Sequence, residues 1–135
     1  MRNVQQLEGL AVNSEEDIVN VRQRVRAHAV ELGLGLVDQT KLVTAASELV
    51  RNMYVHGGGG LVTIDKVEQA GRGGLRVTFE DRGPGIPDID LAMQDGYSTA
   101  NSMGMGLPGA KRLVHEFAIE SKVNEGTRVQ IVRWR

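Results

Sequence analysis

Glycine decides where this chain can be cut into elements. Seventeen of its 135 residues are glycine, well above the usual level of about 7%. They cluster at Gly57 to Gly60, Gly71 to Gly74, Gly83 and Gly85, and Gly104, Gly106 and Gly109. Regular structure is interrupted at such clusters, because glycine loses the most backbone freedom on ordering. Each cluster is short and lies between strongly patterned segments, so it reads as a tight turn or a functional loop rather than a linker.

The segments between the clusters have clear periods. Residues 4–12 form a first strand. Ser14, followed by Glu15, Glu16 and Asp17, caps a helix whose apolar face is Ile18, Val21, Val25, Ala29 and Leu32, ending at Gly33. Its Arg22, Arg24, Arg26 and His28 read as a solvated face, with a partner surface as the alternative. After a short connection, Asp38 caps a second helix running to His56, with Leu42, Ala45, Ala46, Leu49 and Met53 on one stripe. Two helices joined so closely should pack antiparallel.

Residues 61–67 and 75–80 alternate and form a hairpin with a loop of about five or six residues. Gly83, Pro84 and Gly85 turn the chain abruptly at the strand end. Residues 88–93 form a short helix, and the polar stretch 94–103 is expected to be a mobile loop. Gly104 opens a last helix with Leu107, Ala110, Leu113, Val114 and Phe117 at helical spacing. Residues 117–123 and 127–134 then pair through the turn Asn124-Glu125-Gly126. This order predicts a single α+β domain over residues 1–135: a two-layer sandwich with helices packed on one face of a mixed, mostly antiparallel sheet.

Composition removes several classes of function. A formal charge of −1 excludes a globally basic nucleic-acid binder, and the absence of cysteine excludes disulfides and thiolate metal sites. No apolar run approaches a membrane span and no signal-peptide core is present, so a cytoplasmic protein without a membrane partner is expected. The three glycines at 104, 106 and 109 do not follow a strand as a dinucleotide fold requires, and no GxxxxGK[ST] loop occurs.

Chemistry is expected on a second stripe of the second helix, where Glu48, Asn52 and His56 follow at four-residue spacing. A carboxylate and an amide one turn apart can hold a proton acceptor and a cation ligand in fixed geometry. A solvated face is the common alternative for such a pair taken alone. Asp81, delivered to a strand end by a glycine-proline turn, is displayed where ligands can reach it, or else caps that turn. His28 and His115 show no ligand spacing.

Taken together, ASELVRNMYVHGGGG, EDRGPGIPDID, QDGYSTANSMGMGLPGAKRLVHEF and NEGTRVQ resemble the ATP-binding domain shared by gyrase, Hsp90, histidine kinases and MutL, the GHKL superfamily. Its N, G1 and G2 boxes occur here in order. Within it the chain resembles the small serine/threonine kinases of bacterial sigma-factor regulation, of the stressosome type.

The resemblance implies that Asn52 coordinates Mg²⁺ bridging the ATP phosphates and that Glu48 is the general base. It implies that Asp81 accepts from the adenine amino group, supported by the Thr127 hydroxyl. Gly83 and Gly85, with Ile86, would let the backbone approach the base. Gly104, Met105, Gly106 and Leu107 would close over the phosphates. His56, Lys111 and Arg112 are open candidates for phosphate contact. The implied phosphoacceptor is a STAS-domain antagonist protein, with a phosphatase or sigma-factor regulator downstream. An anti-sigma or phosphatase-activating binding module using ATP as a structural ligand, and a plain ATPase, are the alternatives.

Overall fold

The structure is a computed structural model, and it describes residues 1–94 and 106–135. Among these described residues nine elements follow in order: β1 (Asn3–Val12), α1 (Glu15–Leu32), α2 (Leu36–Gly57), β2 (Gly60–Gln69), β3 (Arg72–Glu80), α3 (Ile89–Ala92), α4 (Gly106–Arg112), β4 (Glu116–Lys122) and β5 (Gly126–Trp134). The strands form one sheet in the order β1-β2-β3-β5-β4. Every neighbouring pair is antiparallel. The fold is thus the expected α+β class, and the allowance for a mixed sheet is not needed.

Helices α1 and α2 cover one face. Ile18, Val21, Val25 and Ala29 of α1, with Leu42, Ala45, Ala46, Leu49 and Met53 of α2, pack on Val62, Ile64, Leu75, Val77, Phe79, Val129 and Ile131 of the sheet. Removing each of these side chains from water contributes on the order of 1.5–3 kcal/mol. That burial explains why helices separated by only a few residues both lie on the sheet, α1 over β1 and β3 and α2 over β2, β3 and β5. Ser14 caps α1 by accepting from the Asp17 amide, and Gly33 closes it in the left-handed region at φ 90°.

Three local expectations change. Helix α2 starts at Leu36 with Gly35 as its cap, so Asp38 does not cap it. The Asp38 carboxylate instead accepts from Arg133 on β5, at 2.9 Å from Nε and 2.6 Å from Nη2. The β2–β3 loop is only Ala70 and Gly71, both at positive φ (53° and 76°), and strand pairing runs to Gln69 and Arg72. Positive φ at both central residues is what a two-residue hairpin turn needs. Gly74 hid this in the sequence: it lies inside β3 because a Cβ there would stand 2.7 Å from the Trp134 ring.

The last helix is the third change. It stops at Arg112, and Phe117 belongs to β4. The Leu113 amide bonds back to the Ala110 carbonyl in a tightened final turn, and the His115 amide already joins the Val132 carbonyl in the sheet. Helical spacing and strand alternation overlap across residues 113–117, and pairing with β5 decides between them. Apart from Gln94, the expected loop 94–103 lies outside the described residues.

Candidate functional site

A cavity of about 440 Å³ opens between the C-terminal half of α2, the helix-facing side of β3 and β5, and the segment after β3. Leu49, Asn52, Met53 and His56 form one wall, and Phe79 and Val129 form an apolar floor. Asp81 and Thr127 add polar groups to the lining, and the segments 84–88 and 91–92 continue it on the side after β3. Gly106 and Leu107, at the start of α4, complete the lining. A mostly apolar cavity of this size with a few convergent polar groups suits a small organic ligand.

Asp81 is held from several directions. Its Oδ1 accepts from the Gly83 amide at 2.9 Å and the Thr127 amide at 3.2 Å. Its own amide donates to the Thr127 carbonyl at 3.0 Å, extending the β3–β5 pairing one step beyond Glu80. Two glycines permit this closeness. A Cβ on Gly57 would come 2.4 Å from the Asp81 Cγ, and one on Gly126 would come 2.1 Å from the Asp81 carbonyl oxygen. The end of α2, the end of β3 and the start of β5 therefore meet around one carboxylate with no side chain between them.

The turn after Asp81 is fastened to the β4–β5 hairpin. The Asn124 amide donates to the Pro84 carbonyl at 2.8 Å, and the Ile86 amide donates to the Ser121 hydroxyl at 2.7 Å. Gly83 and Gly85 owe their identity to protein neighbours: a Cβ would meet Gly57 Cα at 2.6 Å and the Lys122 carbonyl oxygen at 2.2 Å respectively. Backbone-to-backbone packing thus requires glycine at both positions whatever the cavity holds; Gly85 lines the cavity and Gly83 does not. Thr127 is tied in at two points. It reaches Asp81 through its amide, while its hydroxyl lies 2.8 Å from that of Ser121.

On α2 the polar stripe divides. Asn52 is half-buried and faces the cavity, as does His56. Glu48 is buried, at 8% exposure, one turn nearer α4. Its Oε1 accepts from the Gly106 amide at 2.8 Å, tying the start of α4 to α2. Lys111 and Arg112 sit in the last turn of α4, away from the cavity lining. Gly104 and Met105 lie outside the described residues.

Among the described residues no group of three or more His, Asp or Glu side chains could hold a metal ion. A hard cation at Asn52 would draw its remaining ligands from water and from the bound molecule, the usual habit of magnesium on phosphates. The residues present fit that pattern: Asn52 offers one amide oxygen from a rigid helix, in a cavity that the Gly106 backbone and the anchored Asp81 carboxylate also line.

Sequence reasoning missed Ser121 and the part played by Gly57 and Gly126. Ser121 pairs with Thr127 across the hairpin. Its place follows from counting back through the turn Asn124-Glu125-Gly126.

Comparison with known proteins bears on this arrangement. Residues 37–135 match the family described as histidine kinase-, DNA gyrase B-, and HSP90-like ATPase. The serine/threonine-protein kinase RsbT of Bacillus subtilis is 49% identical over 123 residues, covering 91% of this chain and 92% of that one. The anti-sigma F factor of Geobacillus kaustophilus is 32% identical over 138 residues, 97% of this chain and 92% of the relative. Among solved structures, the RsbU and RsbW domains of a Mycobacterium tuberculosis protein superpose with a TM-score of 0.65 at 23% identity, covering 98% of this chain and 33% of that one. The last likeness concerns the fold.

Proposed function

Because this chain belongs to the histidine kinase-, DNA gyrase B- and HSP90-like ATPase family, we propose that it is a Mg·ATP-dependent protein serine/threonine kinase, acting in the cytoplasm as one ATP-binding domain. Its phosphoacceptor is a serine or threonine of a STAS-domain antagonist protein in a partner-switching cascade, by likeness to the kinase of Bacillus subtilis. One observation supports it most: Asn52 and Asp81, 29 residues apart in the chain, line the same cavity. No helix among the described residues is long and apolar enough to cross a membrane.

Asp81, its Oδ1 fixed by two amides, accepts the amino group of adenine, while Phe79 and Val129 pack on the ring. Asn52 contributes an oxygen to magnesium, and Gly106 and Leu107 border the phosphates. Magnesium bound to the phosphates neutralises their charge, which is most of what phosphoryl transfer requires of a site. Glu48 takes the proton of the attacking hydroxyl. Its Oε1 is engaged by the Gly106 amide, so the proton goes to Oε2.

Glu48→Gln tests the assignment, because a carboxamide oxygen still accepts from Gly106 but is not a base. ATP affinity measured by calorimetry should stay within about twofold, while transfer of labelled phosphate to the antagonist should fall by about 10²-fold or more. Transfer at the normal rate would refute the role of Glu48. A second reading, a module that sequesters a sigma factor or activates a phosphatase with ATP as structural ligand, is favoured by the 32% identity to an anti-sigma F factor. It predicts a stable ATP-dependent complex without label transfer, whereas steady ADP release with no protein acceptor would mark a plain ATPase.

A further inference from the structure

We infer that Ser121, which does not line the cavity, selects adenine by fixing the direction in which the Thr127 hydroxyl hydrogen points. The inference rests on the reading of the cavity as an ATP site.

Ser121 is a node between three segments. Its hydroxyl accepts from the Ile86 amide at 2.7 Å, lies 2.8 Å from the Thr127 hydroxyl, and is 3.2 Å from the Gly126 carbonyl oxygen. Ser121 and Thr127 are register partners on β4 and β5, with side chains on the same face of the hairpin. Thr127 and Ile86 line the cavity beside Asp81. Ser121 stands one layer behind them.

A hydroxyl has one hydrogen and two lone pairs. The Ile86 amide already occupies one lone pair of Ser121, so its single hydrogen has two destinations. Given to Gly126, it leaves Thr127 to donate to Ser121 and to face the cavity as an acceptor. Given to Thr127, over the shorter 2.8 Å contact, it frees the Thr127 hydrogen for the cavity. Asp81 can only accept. The second arrangement therefore sets an acceptor beside a donor, matching the adenine edge, whose amino group donates and whose neighbouring ring nitrogen accepts. Hypoxanthine carries the reverse pair, a carbonyl oxygen and a ring N–H. Ser121 is accordingly a positioning residue: it acts on the base through Thr127.

The test compares affinities for ATP and inosine triphosphate by calorimetry in the full chain. Ser121→Ala should weaken ATP binding about 3–10-fold, the equivalent of one ordinary hydrogen bond. Inosine triphosphate should change less than about twofold, so the preference for adenine falls. Ser121→Thr should restore it. The ratio is internal to each variant, so a general loss of stability cancels.

A ligand-free readout accompanies it: hydrogen exchange at the Ile86 amide should accelerate about tenfold in Ser121→Ala and recover in Ser121→Thr. In a Thr127→Val background, Ser121→Ala should leave the nucleotide ratio where that single variant put it. If Ser121→Ala does not fold, Ser121→Cys is read by the same criteria. An unchanged preference in a variant that still binds ATP, or an equal effect in the Thr127→Val background, overturns the inference alone. A wild-type chain that binds no ATP overturns the ATP reading, and this inference with it.

Discussion

At Asp81 the side chain is built to be an acceptor and nothing else. Both described hydrogen bonds to its carboxylate arrive at Oδ1 from backbone amides, which fix the plane of the group. Asp81→Asn should keep those contacts through its amide oxygen, while the other atom becomes a donor facing the donor group of adenine. An ATP affinity reduced at least about tenfold in calorimetry is expected, with the thermal midpoint of the unliganded protein little changed. Unchanged affinity would argue against the adenine role.

The neighbouring residues show how far a sequence can be read at this scale. Asn52 and Asp81 stand out because helical spacing and a glycine-proline turn constrain them locally. Gly83 and Gly85 also stand out, and the structure adds a reason with no local signal: a Cβ there would meet the backbone of Gly57 or Lys122, residues brought there only by folding. Ser121 carries no local mark. Its role comes from strand register, which a one-residue slip would have moved to the other face.

Among the elements, α2 is anchored at both ends. At its C-terminal end Gly57 packs on Asp81. At its N-terminal end Asp38 meets Arg133, whose Nη1 also donates to the Leu113 carbonyl behind α4 at 3.0 Å. One guanidinium thus joins α2, β5 and the end of α4. Arg133 is largely buried, with 11% of its side chain exposed against 33% for Asp38. The hydrogen bonds from Arg133 hold the Asp38 pKa below its ordinary value, against the smaller opposing effect of burial.

A carboxyl with a lowered folded-state pKa stabilises the fold above its unfolded pKa, and the contribution fades as the pH falls through the folded one. The Asp38–Arg133 contribution should therefore be complete at neutral pH and disappear below the ordinary aspartate range of about 4. Asp38→Asn should lower stability by about 1 kcal/mol in urea unfolding at pH 7, a value reduced for the partial exposure of the carboxylate. The gap between variant and wild type should narrow below pH 4, and a constant gap would count against the ion pair. Sequence alone assigned Asp38 to a cap because Asp commonly fills that place. The competing partner, 95 residues away, has no local signal.

Across the whole molecule, the cavity has no owner among the elements. It draws on α2, β3, α4 and β5 together. A ligand held there binds only the fully assembled chain, so at about 100 times its Kd magnesium nucleotide should stabilise the fold by about 2.7 kcal/mol. For a chain of this length that raises the thermal midpoint by roughly 10 °C. A scanning-calorimetry trace that nucleotide leaves unmoved would contradict the ATP reading.

The strand order β1-β2-β3-β5-β4 has a kinetic corollary. The β2–β3 and β4–β5 hairpins close over two or three residues and can zip early, while β3 must find β5 across the long stretch that separates Glu80 from Arg128. Closing that span should be the slow, entropically costly event of folding. Because Asp81 and Thr127 lie at that seam, the cavity they line is complete only when the two halves of the sheet join.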